Sequence, residues 1–121
     1  MLQSLTLLFG SKAATSEDLA TQLEPFLGVA FEAKSSLYLG EYFYHEGKVA
    51  DKLSVRNNFV PGFGLAESDH REYQVLVYAY FYSGTESEQV GKFLAMRDKL
   101  MGLEGLDLIR DAIEETDEEE M

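Results

Sequence analysis

The chain has 121 residues, which is enough for one domain with a hydrophobic core of its own. Its 22 acidic and 10 basic residues give a net charge of −12, which argues against binding to nucleic acid and favours a basic partner. An alternative is that the acidity serves solubility alone. The absence of cysteine excludes disulfides, thiolate catalysis and cysteine-ligated metal sites.

The first part of the chain predicts a strand, a helix and a second strand. The apolar run Leu2–Phe9 is typical of a buried strand. Thr15 and Asp18 have the spacing of a helix start signal, and the apolar stripe that follows predicts a helix at about Ser16–Leu27. In Ser36–His45, tyrosines alternate with leucines and a phenylalanine, which predicts one continuous strand.

The second part predicts two strands separated by a loop, followed by helices. Leu53–Phe59 alternates as a strand does, whereas Val60–Glu72 contains a proline, two glycines and several charges and is typical of a loop. Tyr73–Tyr82 is the most apolar and aromatic run and predicts a central strand. Helical spacing then predicts a helix at about Glu86–Met101 and a short final helix at Leu106–Glu115.

This order of elements predicts a single α+β domain over residues 1–115. We expect a mainly antiparallel sheet of four to five strands, with two main helices packed on one face and a short C-terminal helix, because adjacent strands joined by short turns pair antiparallel. Residues 116–121 form an acidic tail, which we predict to be disordered.

Targeting signals are not evident in this sequence. Met1–Phe9 is apolar but has neither the basic segment nor the cleavage site of a signal peptide. No apolar run approaches the length of a membrane span. We therefore expect a cytoplasmic protein that does not contact a membrane.

Tyrosine is distributed unevenly along the chain. Six of the seven tyrosines alternate within two strand-like segments: Tyr38, Tyr42, Tyr44, Tyr78, Tyr80 and Tyr82. Successive side chains of a strand point to opposite faces, so each segment has a tyrosine face and a mainly aliphatic face. Tyrosine buries a large ring and keeps a polar tip, which suits a surface that meets a partner. The alternative is that the rings pack beneath a helix.

Residues for catalysis are sparse. The two histidines, His45 and His70, are far apart in sequence, and no serine lies in a nucleophile-elbow pattern. The glycines of Pro61–Leu65 lack the third glycine of a dinucleotide fingerprint. Glu41 stands alone at a core-parity position in an aromatic strand, where it has an acid–base role, lies at a strand end, or pairs with Arg56, Lys52 or Lys34. We therefore expect a binding protein rather than an enzyme, with no cofactor and no metal.

Three short segments are similar to those of a known group of proteins: Y-L-G-E-Y-F-Y at Tyr38–Tyr44, L-S-V-R-N-N at Leu53–Asn58 and V-L-V-Y at Val75–Tyr78. Over residues 38–100 the chain resembles the small acidic immunity proteins of bacterial contact-dependent growth inhibition and related polymorphic toxin systems. It departs from their pattern at Glu41 and in its acidic C-terminal segment. The resemblance implies a cytoplasmic antidote that binds a toxin domain, often a nuclease, and blocks its active site.

The expected contacts with such a toxin follow from strand parity and from charge. We predict that the partner-binding residues are Tyr42, Tyr44, Arg56, Asn58, Tyr78, Tyr80, Glu114 and Glu115. Tyrosines would anchor the partner and carboxylates would attract a basic toxin domain. Two alternatives are a small ligand-binding or enzymatic α+β domain, with a pocket between the sheet and Val60–Glu72, and an adaptor subunit of a larger complex.

Overall fold

A six-stranded sheet and two helices account for most of the described chain. The computed structural model describes residues 2–12 and 15–115, and the side chains of residues 5–12 and 15–111. The strands are β1 (Leu2–Ser11), β2 (Glu32–Ser36), β3 (Gly40–His45), β4 (Lys52–Asn57), β5 (Phe59–Val60), β6 (Gly64–Leu65), β7 (Val75–Phe81) and β8 (Asp107–Glu115). The helices are α1 (Ser16–Leu27) and α2 (Glu86–Met101), and Ser68–His70 forms a single 3-10 turn.

The strand order in the main sheet is β2-β3-β4-β7-β1-β8, and every neighbouring pair is antiparallel. The short strands β5 and β6 form a separate hairpin within the connection between β4 and β7. Both helices pack on one face of the sheet. The predicted α+β class with an antiparallel sheet is therefore confirmed.

The core lies between the helices and the aliphatic face of the central strands. In the register of β4, β7 and β1, Val77 lies between Val55 and Phe9, and all three side chains are buried. Helix α2 contributes Phe93, whose ring meets that of Phe81 edge-on with centroids 5.9 Å apart. The alternation that predicted the strands thus corresponds to one buried face, as the hydrophobic effect requires.

Both helices begin and end where their sequence signals predict. The Thr15 hydroxyl accepts a hydrogen bond from the Asp18 amide at 3.0 Å, and Gly28 ends α1 in the left-handed conformation with a φ of 69°. Thr85 and Glu88 form a reciprocal capping box at the start of α2. These caps satisfy amides that have no partner within a helix.

The predicted C-terminal helix is wrong. Asp107–Glu115 is the edge strand β8, paired with β1, and the sheet therefore has six strands rather than four or five. A β-bulge lets a segment with helical apolar spacing pair as a strand: Leu8 faces Arg110 and Phe9 faces Leu108, which leaves Ile109 as the extra residue. Pairing with β1 satisfies the backbone groups along one side of β1, and this long-range gain outweighs a weak local helix preference.

The single strand predicted over Ser36–His45 is also wrong. The chain reverses at residues 37–39, so that β2 and β3 form a hairpin. The Ser36 hydroxyl accepts a hydrogen bond from the Leu39 amide at 2.9 Å, and Gly40 adopts a φ of 67° that few other residues tolerate. Tyr38 consequently lies in the turn, 68% exposed, and not on the face of the sheet.

Two predictions concern residues about which the structure says little. Glu114 and Glu115 lie in β8, but their side chains are outside the described set, and the acidic tail 116–121 lies outside the described residues altogether. Among the described residues, no helix is long and apolar enough to cross a membrane.

The connection from β7 to α2 depends on one carboxylate. Asp51 Oδ2 accepts hydrogen bonds from the amides of Tyr82 at 2.6 Å and Ser83 at 3.0 Å, and Oδ1 accepts one from the Ser83 hydroxyl. Desolvation by burial raises the pKa of Asp51, but these hydrogen bonds outweigh that effect and hold the pKa below its ordinary value.

Asp51→Asn should lower the free energy of unfolding by about 1–3 kcal/mol at neutral pH, because hydrogen bonds to an ionised acceptor are lost. A group whose pKa is depressed in the folded state stabilises it above the ordinary pKa, and this contribution disappears as the pH falls through the folded pKa. Urea unfolding should therefore show a large difference between the two proteins at pH 7, and the difference should shrink as the pH falls through the lowered pKa of Asp51. Asp98→Asn, at an exposed position on α2, is the control and should have little effect at either pH.

Candidate functional site

The face of the sheet away from the helices carries most of the tyrosines. In the register of β3, β4 and β7, Tyr42 lies opposite Arg56, and Ser54 lies between Tyr44 and Tyr78. Tyr80 lies opposite Lys52 on the same side. We call this surface the tyrosine face and define it by Lys34, Tyr42, Tyr44, Lys52, Arg56, Tyr78, Tyr80 and Arg110. Five of the predicted site residues thus share one face, as their parity predicts.

Contacts with other rings and with cations hold the tyrosine rings of this face in position. Tyr78 and Tyr80 are nearly parallel, with centroids 6.3 Å apart and an angle of 2° between the rings. The Arg56 guanidinium lies 5.8 Å from the centroid of Tyr78, and the Lys34 ammonium lies 5.0 Å from that of Tyr44. Such cation–π contacts hold the side chains in place on the surface.

The tyrosine face is open at one end and covered at the other. Tyr80 is 37% exposed, whereas Leu8 and Leu76 on the same face are completely buried. The Tyr73 ring lies against the backbone of Gly10 in this covered part, where a Cβ atom would come within 2.5 Å of it. The tyrosine face is therefore a meeting surface at one end only, and within residues 2–12 and 15–115 neither helix covers the tyrosines.

Glu67, in the loop before β7, contacts two residues of the tyrosine face. Glu67 Oε2 accepts a hydrogen bond from the Tyr78 hydroxyl at 2.7 Å and one from Arg110 Nη2 at 3.4 Å. Desolvation by burial, together with the Glu67 contact, raises the pKa of Tyr78 well above its ordinary value. Desolvation and the hydrogen bond to Glu46 raise the pKa of Tyr44 to about 12. Both hydroxyls are thus neutral at physiological pH and donate hydrogen bonds to these carboxylates.

Asn58 does not belong to the tyrosine face, which corrects its assignment as a partner-binding residue. It lies just beyond β4 and is 1% exposed. Its Nδ2 donates to the carbonyl oxygens of His70 at 3.1 Å and Tyr73 at 2.9 Å, and its Oδ1 accepts from the Glu67 amide at 2.9 Å. Asn58 therefore holds the loop that places Glu67, and its role is structural.

The local charge of the tyrosine face differs from that of the whole chain. Lys34, Lys52, Arg56 and Arg110 lie on it, and the carboxylates that contact it or share its register are Glu32, Glu46 and Glu67. Within the described part of the chain, the Arg56 Nε atom is buried without a hydrogen-bond partner. The predicted set omitted Lys34, Lys52, Glu67 and Arg110. Strand parity alone would have placed Lys52, whereas the other three depend on the hairpin, the loop and β8.

A cleft of about 600 Å³ lies at the other end of the sheet, beside the loop where the sequence suggested a pocket. It is formed by the start of α1, the end of β4 and the loop before β7. Its charged lining residues are Glu17, Glu41 and Arg71. Glu41 is thus in the cleft wall and not in the core. Neither histidine lines this cleft, and the described residues contain no group of three or more side chains suited to a metal ion.

No protein-family model matches the chain, and neither the curated proteins nor the solved structures contain a match to it. The geometry of the tyrosine face and of the cleft is therefore the basis for assigning a function.

Proposed function

We propose that this protein is an immunity protein, which binds a cognate toxin domain and neutralises it by occluding its active site. The observation that supports this proposal is the tyrosine face, a set of tyrosines and arginines held on a regular antiparallel sheet. Tyrosine and arginine, together with tryptophan, are the residues most enriched at the energetic centres of protein interfaces. The proposal requires no catalytic residues, because such an inhibitor acts by occupancy.

The order within the tyrosine face supports tight binding. Tyr78 and Tyr80 are stacked, and Arg56 is held against Tyr78. Side chains that are already positioned lose little conformational entropy when a partner docks. An antidote must also act before its toxin does, so a surface that needs no rearrangement is an advantage.

The charge distribution suggests two separate electrostatic roles. The net charge of −12 would attract a basic toxin domain from a distance, and a nuclease has basic groups around its active site because it binds phosphates. The cations of the tyrosine face would then pair with carboxylates or carbonyl groups in the toxin. Arg56, which is partly exposed and has its guanidinium held against the Tyr78 ring, is well placed to do so.

The cleft supports a second candidate function, that of a small ligand-binding domain. Its volume of about 600 Å³ lies within the usual range for small-molecule sites, and Arg71 could bind an anionic group there. This candidate predicts a small ligand that copurifies with the protein and is lost with Arg71→Ala. The toxin-binding candidate predicts copurification with the C-terminal domain of the protein encoded immediately upstream.

Tyr80→Ala and Tyr42→Ala should each weaken binding to that toxin domain by about 2 kcal/mol or more if the residue anchors the interface, which is roughly a thirtyfold rise in Kd. Calorimetric titration of each variant with a catalytically inactive toxin domain measures the change. Thermal melting should shift little for Tyr80→Ala because its side chain is partly exposed.

Leu94→Ala is the matched control, since Leu94 is 39% exposed on α2 and therefore on the opposite side of the molecule. Normal toxin binding by both tyrosine variants, or a larger loss with Leu94→Ala, would place the interface elsewhere.

A further inference from the structure

A second apolar pocket lies on the helical side of the molecule, away from the tyrosine face. It has a volume of about 220 Å³ and lies between the end of α1, the turn after β3 and one side of α2. Its apolar lining consists of Leu27, Val49, Ala95 and Met96, of which Leu27 and Met96 are buried. The remaining lining residues are three lysines: Lys48, Lys92 and Lys99.

The lysines are notable because the chain is so acidic. Three of its 10 basic residues line this one pocket, and none of the described lining residues is acidic, although the chain has 22 acidic residues. Lys92 and Lys99 are seven residues apart on α2, which places them on the same side of the helix, two turns apart. Lys92 is also close enough to Asp51 and Glu88 for its charge to act on both. The pocket nevertheless concentrates positive charge around an apolar floor.

Lys48 is already oriented at this pocket. Its ammonium donates a hydrogen bond of 2.7 Å to the carbonyl oxygen of Gly28, the residue that ends α1. This contact fixes the ammonium beside Leu27 and leaves two of its three N–H donors available. A bound anion could therefore meet Lys48 without a large loss of side-chain entropy.

We propose that this pocket binds a small anionic amphiphile, namely a carboxylate with a short hydrocarbon chain. The chain lies on Leu27 and Met96, and the carboxylate lies among the three lysines. The volume of about 220 Å³ is that of roughly seven water molecules, which suits a hydrocarbon chain of about seven carbons. It is smaller than the usual range for drug-sized ligands, which argues against a peptide or a phospholipid. This site is independent of toxin binding.

Octanoate is a suitable probe, titrated into the full chain while the methyl signals of the protein are followed by NMR. We expect saturable shifts of the Leu27, Ala95 and Met96 methyl groups. Octanol, which has the same chain without the charge, should bind about fivefold more weakly or worse. The double variant Lys48→Gln, Lys99→Gln should bind octanoate about fivefold more weakly, because each exposed ion contact contributes modestly.

Two further variants test whether octanoate binds in this pocket rather than elsewhere on the protein. Ala95→Leu should fill the pocket and abolish the saturable shifts, and because Ala95 is exposed, the melting temperature should be preserved. Lys52→Gln removes a lysine from the tyrosine face and should leave octanoate binding unchanged. Equal affinity for octanol, an equal loss with Lys52→Gln, or shifts that do not saturate or that survive Ala95→Leu would each overturn the proposal.

Discussion

Val77→Asp should unfold the domain. Val77 is 1% exposed in the central strand β7, between Phe9 of β1 and Val55 of β4. An aspartate there would be a buried charge without a partner, in addition to the lost packing of the valine. Such changes cost more than about 4 kcal/mol, which is close to the whole stability of a small domain.

Circular dichroism and NMR chemical-shift dispersion of the purified variant measure this effect. The matched control is Tyr80→Asp, which places the same charge in the same strand on the opposite face, where Tyr80 is partly exposed and near Lys52. We expect this control to remain folded. Similar unfolding of both variants would mean that the tyrosine face belongs to the core, and our assignment of the two faces would then be wrong.

Asn58→Ala should have the next largest effect, lowering the free energy of unfolding by about 2–4 kcal/mol. The substitution removes the side-chain partners of two carbonyl oxygens and of the Glu67 amide in a buried site. A buried polar group left without a partner costs about 1–3 kcal/mol. Urea unfolding monitored by circular dichroism gives the change directly.

Asn58→Ala should also change the pKa of Tyr78, which Glu67 contacts. Glu67 would no longer be held beside Tyr78, so the pKa of Tyr78 should fall towards its ordinary value. Ultraviolet titration of tyrosinate measures this fall. Because the folded protein raises this pKa, the stabilisation from Tyr78 is complete below about pH 10 and is lost as the pH rises above it.

Asn57→Ala is the control for both measurements. Asn57 is the neighbouring residue, is only half-buried, and makes no side-chain hydrogen bond within the described part of the chain. It should change the free energy of unfolding by less than about 0.5 kcal/mol. If Asn58→Ala instead left stability and the Tyr78 titration unchanged but weakened toxin binding, Asn58 would be an interface residue after all.

The loop held by Asn58 couples the stability of the domain to the shape of the tyrosine face. Asn58 positions Glu67, and Glu67 in turn contacts Tyr78 and Arg110. A change in a buried residue can therefore alter the proposed binding surface without touching a partner. Binding measurements on variants of this loop need a parallel measurement of stability.

Local patterns predicted the elements whose signals are complete within a few residues. Helices α1 and α2 have their capping residues in the sequence, and β7 alternates between a wholly buried side and a side that carries Tyr78 and Tyr80. The shared face of Tyr42, Arg56, Tyr78 and Tyr80 followed from parity, which has a period of two residues in any strand. Most of the candidate site was therefore accessible without a structure.

The remaining features depend on contacts between distant parts of the chain. The segment Asp107–Glu115 has the apolar spacing of a helix, and it becomes a strand because β1 offers unpaired backbone groups beside it. Asn58 has the parity of a surface residue, yet it is buried because the loop folds back over the end of β4. Glu67 and Arg110 are 43 residues apart and meet only after both segments have joined the same face of the sheet. Spacing along the chain determines on which face of a strand a side chain lies. Whether that face is buried, and which residues lie beside it, depends on pairing between distant segments.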